Sequence, residues 1–274
     1  MYPIIKNSCR PEIITAFSLV LLCCIFFSSG CLTREEGCLD LAAVNFDFDA
    51  DRACNECCTY PIMTMTLSQR WDSLNFNPSD TLADRNGLPY KIADLNYFLT
   101  SWSWKDAQEE VYTVDSAVLI CPQELVDYTP DILIIDPQQF VYNLGMIRES
   151  PEIESIRFEF GLLPELECAD ETLSSTPAAL SGSSPLWNPA TSSLSTLRLV
   201  FQRDLNSAHL DTLYMFDRLS QQLAYDLDFI PGRDPALKLT VNYAKWFKDV
   251  DVNDPSSFTA SILANVNESI FPTD

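Results

Sequence analysis

From Ile62 onward the chain is dominated by a hydrophobic period of two. Met63, Met65 and Leu67 alternate with Thr64, Thr66 and Ser68, and Ile156, Phe158 and Phe160 alternate with Arg157 and Glu159. The pattern returns at Leu223, Tyr225, Leu227 and Phe229, and again at Leu237, Leu239, Val241 and Tyr243. Successive side chains of a strand point to opposite faces, so these stretches read as half-buried strands of a sheet with one wet face. Val114 to Ile120, Ile132 to Ile135, Phe140 to Leu144 and Leu194 to Gln202 supply further strands. Apolar sheet faces must cover one another, so the expected fold is all-β, an antiparallel β-sandwich. The chain closes differently. Asp254-Pro255 supplies a helix start, and Phe258, Ile262, Val266 and Ile270 recur every fourth residue until Pro272, which predicts one C-terminal amphipathic helix packed on the sandwich.

The first 30 residues have another character. Lys6 and Arg10 precede an almost unbroken apolar run from Ile13 to Phe27, which ends in Ser28-Ser29-Gly30-Cys31. A charged head, an apolar core and small residues at a cleavage point make a secretory signal peptide. The apolar run is shorter than the roughly 20 residues that a bilayer crossing needs. Ser-Ser-Gly-Cys resembles the lipobox of bacterial lipoproteins, with Ser28 where Leu is usual, and the resemblance implies that Cys31 carries the lipid, palmitate included. Several acyl chains would hold the protein stably on a membrane. Leu32 to Glu36 resembles the export tag of surface-displayed lipoproteins in some Gram-negative bacteria.

With the signal peptide removed and Cys31 lipidated, Cys38, Cys54, Cys57, Cys58, Cys121 and Cys168 remain. An even set in an exported chain reads as disulfides. The preferred arrangement joins Cys121 to Cys168 and places two bridges among the N-terminal four; zinc is the competing reading of Cys54-x-x-Cys57. Residues 31 to 61 then form a lipid-anchored, Cys-rich acidic stalk, and residues 62 to 274 the β-sandwich domain. Within the stalk Asp47, Asp49 and Asp51 alternate as in a calcium loop, although Arg52 stands where such a loop needs Gly and Cys58 where it needs Glu.

The formal net charge of -22 repels nucleic acid and favours solubility or cation binding. His209 is the only histidine, so a Ser/His/Asp or Cys/His enzyme would rest on that single ring, and it reads as a surface residue. With only 7 glycines there is no glycine-rich phosphate loop. The chain is therefore expected not to be an enzyme. Trp102 and Trp104 stand two apart and share a strand face, where they serve either as core or as an aromatic platform for a sugar. A long stretch rich in Ser, Thr and Pro runs from Cys168 to Leu194 with Trp187 as its large aromatic; loops of that length are functional or disordered.

Several segments in order resemble the MbnP-like family. Leu88 to Ser101 resembles the family's turn into a Tyr-Tyr-Leu/Ile-Ser strand, and Ile156 to Leu162 its Phe-x-Ile-Gly-Val strand. Ala178, Leu180 and Pro185-Leu186-Trp187 fall where the family runs into Met-Tyr-Trp, and Ala260 to Phe271 resembles its closing helix. The resemblance implies an exported β-sandwich associated with copper and methanobactin handling. Copper-binding members carry histidine where this chain has Gln69-Arg70-Trp71 and Leu213-Tyr214-Met215-Phe216, which leaves Trp187 and Met215 as remnants.

These readings converge on a lipid-anchored protein of the outer membrane or cell surface of a Gram-negative bacterium, acting as a non-enzymatic binding or accessory module. The alternatives are a metal-handling protein that binds copper or calcium, and a glycan-binding protein. The expected partners are the membrane, through the anchor, and an outer-membrane transporter or surface complex; no nucleic acid is expected.

Overall fold

The computed structural model describes residues 34–121, 125–129, 131–149, 152–167 and 177–273. Cys31, the signal peptide and Cys168 lie outside these residues. The sandwich is built from β1 (Ile62–Trp71), β2 (Pro89–Lys105), β3 (Leu133–Ile135), β4 (Val141–Met146), β5 (Glu152–Phe160), β6 (Leu197–Gln202), β7 (Asp211–Met215), β8 (Leu219–Asp228), β9 (Ala236–Asn242) and β10 (Ile270–Pro272), with helices α1 (Tyr243–Trp246) and α2 (Ser256–Ser269). One sheet runs β7-β6-β2-β5-β8, with β3 also paired to β2; the facing sheet runs β4-β1-β9-β10. The pairs are antiparallel except β1 with β9, which are parallel and register Met65 with Leu237 and Leu67 with Leu239.

The period of two places its apolar residues as expected. Met63, Met65, Leu67, Ile156, Phe158, Phe160, Leu237, Leu239 and Val241 are all buried in one core between the sheets. Leu223, Tyr225 and Leu227 pack against that core from the edge strand β8, half-buried. Tyr243 departs from the strand pattern. β9 ends at Asn242, whose side chain accepts a hydrogen bond from the Ala244 amide and starts α1, so Tyr243 is a helical residue. The C-terminal helix forms, with the Asp254 carboxylate accepting from the Ser256 amide and Phe258, Ile262 and Val266 buried, but it ends at Ser269: Ile270, expected on its apolar stripe, instead opens β10 and pairs with Val241 of β9.

The longest strand, β2, organises the larger sheet. Its inward residues change parity twice along its 17 residues: Tyr90 and Ile92, then Leu95, Tyr97 and Leu99, then Trp102 and Trp104. Each change is a bulge, one against β6 between Ile92 and Asp94, the other against β5 between Thr100 and Ser103. An extra residue in one strand of a pair shifts every later side chain to the other face, and the two bulges keep the apolar residues turned inward. Between the bulges, Phe98 points to the opposite face of the sheet, where it joins Cys121, Leu162, Leu166, Leu180 and Leu186 in a second apolar cluster. The described part of the Ser/Thr/Pro-rich stretch thus covers the outer face of β2.

Gly161 closes β5. Its amide donates to Phe98 O at 3.0 Å and its carbonyl accepts from Thr100 Oγ1 at 2.8 Å, at φ 124°. A Cβ there would stand 2.7 Å from Arg218 Cγ and 3.1 Å from Thr196 Oγ1. Arg218 can swing away, but the backbone strain stays, so Gly161→Ala should lower stability by about 1–3 kcal/mol in urea unfolding. A loss under about 0.5 kcal/mol would show that the turn relaxes freely.

Residues before Ile62 form a small element of their own. Glu36–Gly37 and Arg52–Ala53 make a short parallel ladder, and Cys38 is bonded to Cys58. The expected second bridge in this element is absent: Cys54 and Cys57 are free thiols. Cys54 precedes and Cys57 ends a single 3-10 turn, Asn55–Cys57, and the Cys57 thiol donates to Cys54 O at 3.0 Å. A hydrogen bond with the Cys54 side chain raises the Cys57 pKa and favours the protonated thiol over the nucleophilic thiolate. Cys121 is disulfide-bonded.

Candidate functional site

The second bulge of β2 creates the feature with most chemistry. Ser101 adopts a left-handed backbone conformation, φ 57°, and the ladder to β5 is interrupted there. The amides beside it need other acceptors, because a buried unpaired N–H is costly. Asp131 supplies one. β3 registers Leu133 opposite Leu99, so the residues just before it run back along β2 toward Ser101. The Trp102 amide donates to Asp131 Oδ2 at 2.5 Å, and the Thr129 hydroxyl to Oδ1 at 2.6 Å. Asp131 is only 1% exposed. Burial pushes its pKa up to about 6, against the opposing pull of hydrogen bonds from Thr129 and from the Trp102 and Ser101 amides.

A cleft of about 280 Å³ opens beside this carboxyl. Ser101, Trp102 and Ser103 of β2 form one side, and Val126, Asp127 and Tyr128 of the hairpin strand Leu125–Tyr128 another. Leu163, Glu165 and Leu166, at the 3-10 turn Pro164–Leu166, close the third. Thr113, Thr129 and Asp131 complete the lining, which among the described residues contains three carboxyl groups, several hydroxyls and no Lys, Arg or His. Such a lining disfavours anions and suits a cation or a neutral hydroxylated molecule with an apolar side. No sequence motif announces the site. The only trace is the break in alternation at Leu99-Thr100-Ser101-Trp102, where two polar residues separate inward apolar ones.

The two tryptophans are core residues and not an exposed sugar platform. Trp102 is 1% and Trp104 0% exposed, and Trp102 stacks on Phe158 with ring centroids 4.4 Å apart. The indole N–H groups of both lack hydrogen-bond partners. They are interior because the bulge returns them to the inter-sheet face.

The remaining predicted residues do not come together. Asp47 turns inward: a Cβ on Gly37 would stand 2.4 Å from its carboxylate, and it accepts from the Asp49 amide at 3.0 Å. Among the described residues, no group of three or more His, Cys, Asp or Glu side chains is placed to hold a metal ion, so Asp47, Asp49 and Asp51 are not gathered. Met215 is buried in the main core, opposite Leu197, while Trp187 is half-buried on the short hairpin Trp187–Asn188 with Ser193–Leu194. Gln69, of the early segment Gln69-Arg70-Trp71, is buried and fully bonded. Its amide donates to Asp136 O and Gln139 O, and its oxygen accepts from the Tyr243 hydroxyl at 2.6 Å. His209 is exposed and lies 3.5 Å from Asp211.

Fold and cleft together define a class: an all-β sandwich with an acidic, hydroxyl-lined cleft at a strand bulge and a closing helix. No protein-family model matches the chain, and no curated protein is similar enough to count as a relative. Among solved structures, MbnP from Methylosinus trichosporium is similar at a TM-score of 0.41 and 10% identity, over 69% of this chain and 78% of that one. A likeness of that size leaves ligand chemistry to be read from this chain's own residues.

Proposed function

We propose that the protein is a non-enzymatic binding module, exported and held by lipid at Cys31 on the outer membrane or cell surface, whose β-sandwich takes up a small cationic molecule in the cleft beside Asp131. The observation that carries the reading is the lining, which among the described residues holds Asp127, Asp131 and Glu165 with Ser, Thr and Tyr hydroxyls and no basic side chain. An ammonium group would gain charge-assisted hydrogen bonds there while its apolar part rests on Val126, Leu163 and Leu166.

The test has two parts. Growth with an alkyne-labelled fatty acid should label the wild-type chain and not Cys31→Ser. The purified protein is then titrated with a primary alkylamine, a neutral hexose and a carboxylate of matched size, and followed by nuclear magnetic resonance. The amine should shift the amides of Ser101, Trp102 and Thr129, more strongly above pH 6 than below, because Asp131 is then ionised; the carboxylate should not. Equal response to amine and carboxylate, or none to either, would sink the cationic reading.

A further inference from the structure

The element before Ile62 exposes large apolar side chains while being tied down on every side. Phe48 is 88% exposed, Leu41 69%, Val44 50%, Leu39 41% and Phe46 37%. Among the described residues, no other run of ten carries as many exposed large apolar groups. This is not a frayed end. The Cys38–Cys58 bridge crosses the element, the Asn45 side chain donates to Cys57 O and accepts from the Thr59 amide, each at 2.7 Å, and the Tyr60 hydroxyl donates to Asp40 at 2.9 Å. Arg148 lies over the Tyr60 ring at 4.8 Å, and Gly232 lets the 230–233 turn approach Ala43 O closely. Ile230 of that turn is itself 54% exposed. A rigid backbone that holds apolar side chains in water marks an interaction surface.

We infer that Leu41, Val44 and Phe48 seat this element on a neutral lipid surface beside the anchor. The inference rests on the proposed lipidation at Cys31. Arg34, where the described chain begins, is three residues from Cys31, a reach of at most about 10 Å. A thioether in the membrane therefore brings the element to the headgroup layer. The same element exposes Glu35, Asp49, Asp51 and Glu56, and these acids repel an anionic surface while suiting the ammonium heads of zwitterionic lipid. The cleft beside Asp131 belongs to the body, so the surface seat and the ligand site use different parts of the chain.

The full, lipid-modified chain carrying Phe48→Trp is reconstituted into phosphatidylcholine vesicles with brominated acyl chains, with Phe216→Trp, 47% exposed on the body, as control. Signal from the five native tryptophans is subtracted using the wild-type chain. The emission added at position 48 should shift to the blue and be quenched about twofold, as for a side chain at the acyl boundary, while that at 216 stays unquenched. Vesicle flotation with no quenching at 48 would leave the anchor standing and overturn the seat. Failure to float would remove the anchor reading and the inference with it. Equal quenching in brominated phosphatidylglycerol vesicles would overturn the neutral-lipid assignment. A blue shift that grows with protein concentration in lipid-free detergent solution would assign the face to a second copy instead.

Discussion

Replacing Trp246 by alanine is expected to remove about 3–5 kcal/mol of unfolding free energy, measured by urea denaturation. The side chain is fully buried and meets Tyr97, Phe160 and Tyr243 in edge-on contacts with ring centroids 4.9, 5.6 and 5.0 Å away. No neighbouring side chain can fill the volume it leaves without breaking that aromatic set. Its indole N–H also donates to Ser269 Oγ, which in turn donates to Val266 O at 2.7 Å, so the residue ties α1 to the last turn of α2. Ser269→Ala tests the polar share separately. It keeps the packing and leaves a buried N–H without an acceptor, for an expected loss of about 1–3 kcal/mol. A Trp246→Ala loss below about 1.5 kcal/mol would show that the two helices are not fastened through this residue.

The second large effect is a pH dependence at Asp131. Its folded pKa of about 6 lies above the value near 3.8 for a free aspartate, so its carboxyl favours the folded state in the protonated form. The contribution is fully present below the unfolded pKa and is lost as pH rises through about 6. The difference of about two pKa units amounts to roughly 3 kcal/mol at neutral pH. Asp131→Asn should therefore gain on the wild type by up to about that amount between pH 4 and 7, since the amide oxygen can accept from the Trp102 amide and its nitrogen can donate to Thr129. Asp40, Asp211 and Asp251 have lowered pKa values, through the Ala42 amide, Arg203 and the Asn253 amide respectively, and act in the opposite sense. Comparing the two chains across the same pH range cancels them. Parallel stability curves for wild type and Asp131→Asn would mean that the carboxyl is not held neutral by burial. The same substitution should flatten the pH dependence of amine uptake, which links the stability of the bulge to its proposed ligand.

Much of this architecture is legible in the sequence. Alternation at Met63 to Leu67, Ile156 to Phe160 and Leu237 to Val241 names strands and their inward faces, because a strand's side-chain period is fixed by its backbone. The spacing from Phe258 to Val266 names the last helix for the same kind of reason. Period alone does not say where a strand ends. Tyr243 continues the alternation of β9 and yet lies in a helix, since the Asn242 side chain captures the Ala244 amide and ends the strand.

The sequence by itself determined the kind of elements, the all-β class, and a chain whose acids greatly outnumber its bases. Only the tertiary structure decided which cysteines are bonded, that Trp102 and Trp104 face inward, and that Asp131 is the carboxyl beside the bulge. Strand period is a local property, set within a few bonds of each residue. Bridge partners, burial and the pKa of a carboxyl depend on what another strand places against them. Asp131 and Trp102 lie far apart in the chain and meet because β3 registers against β2.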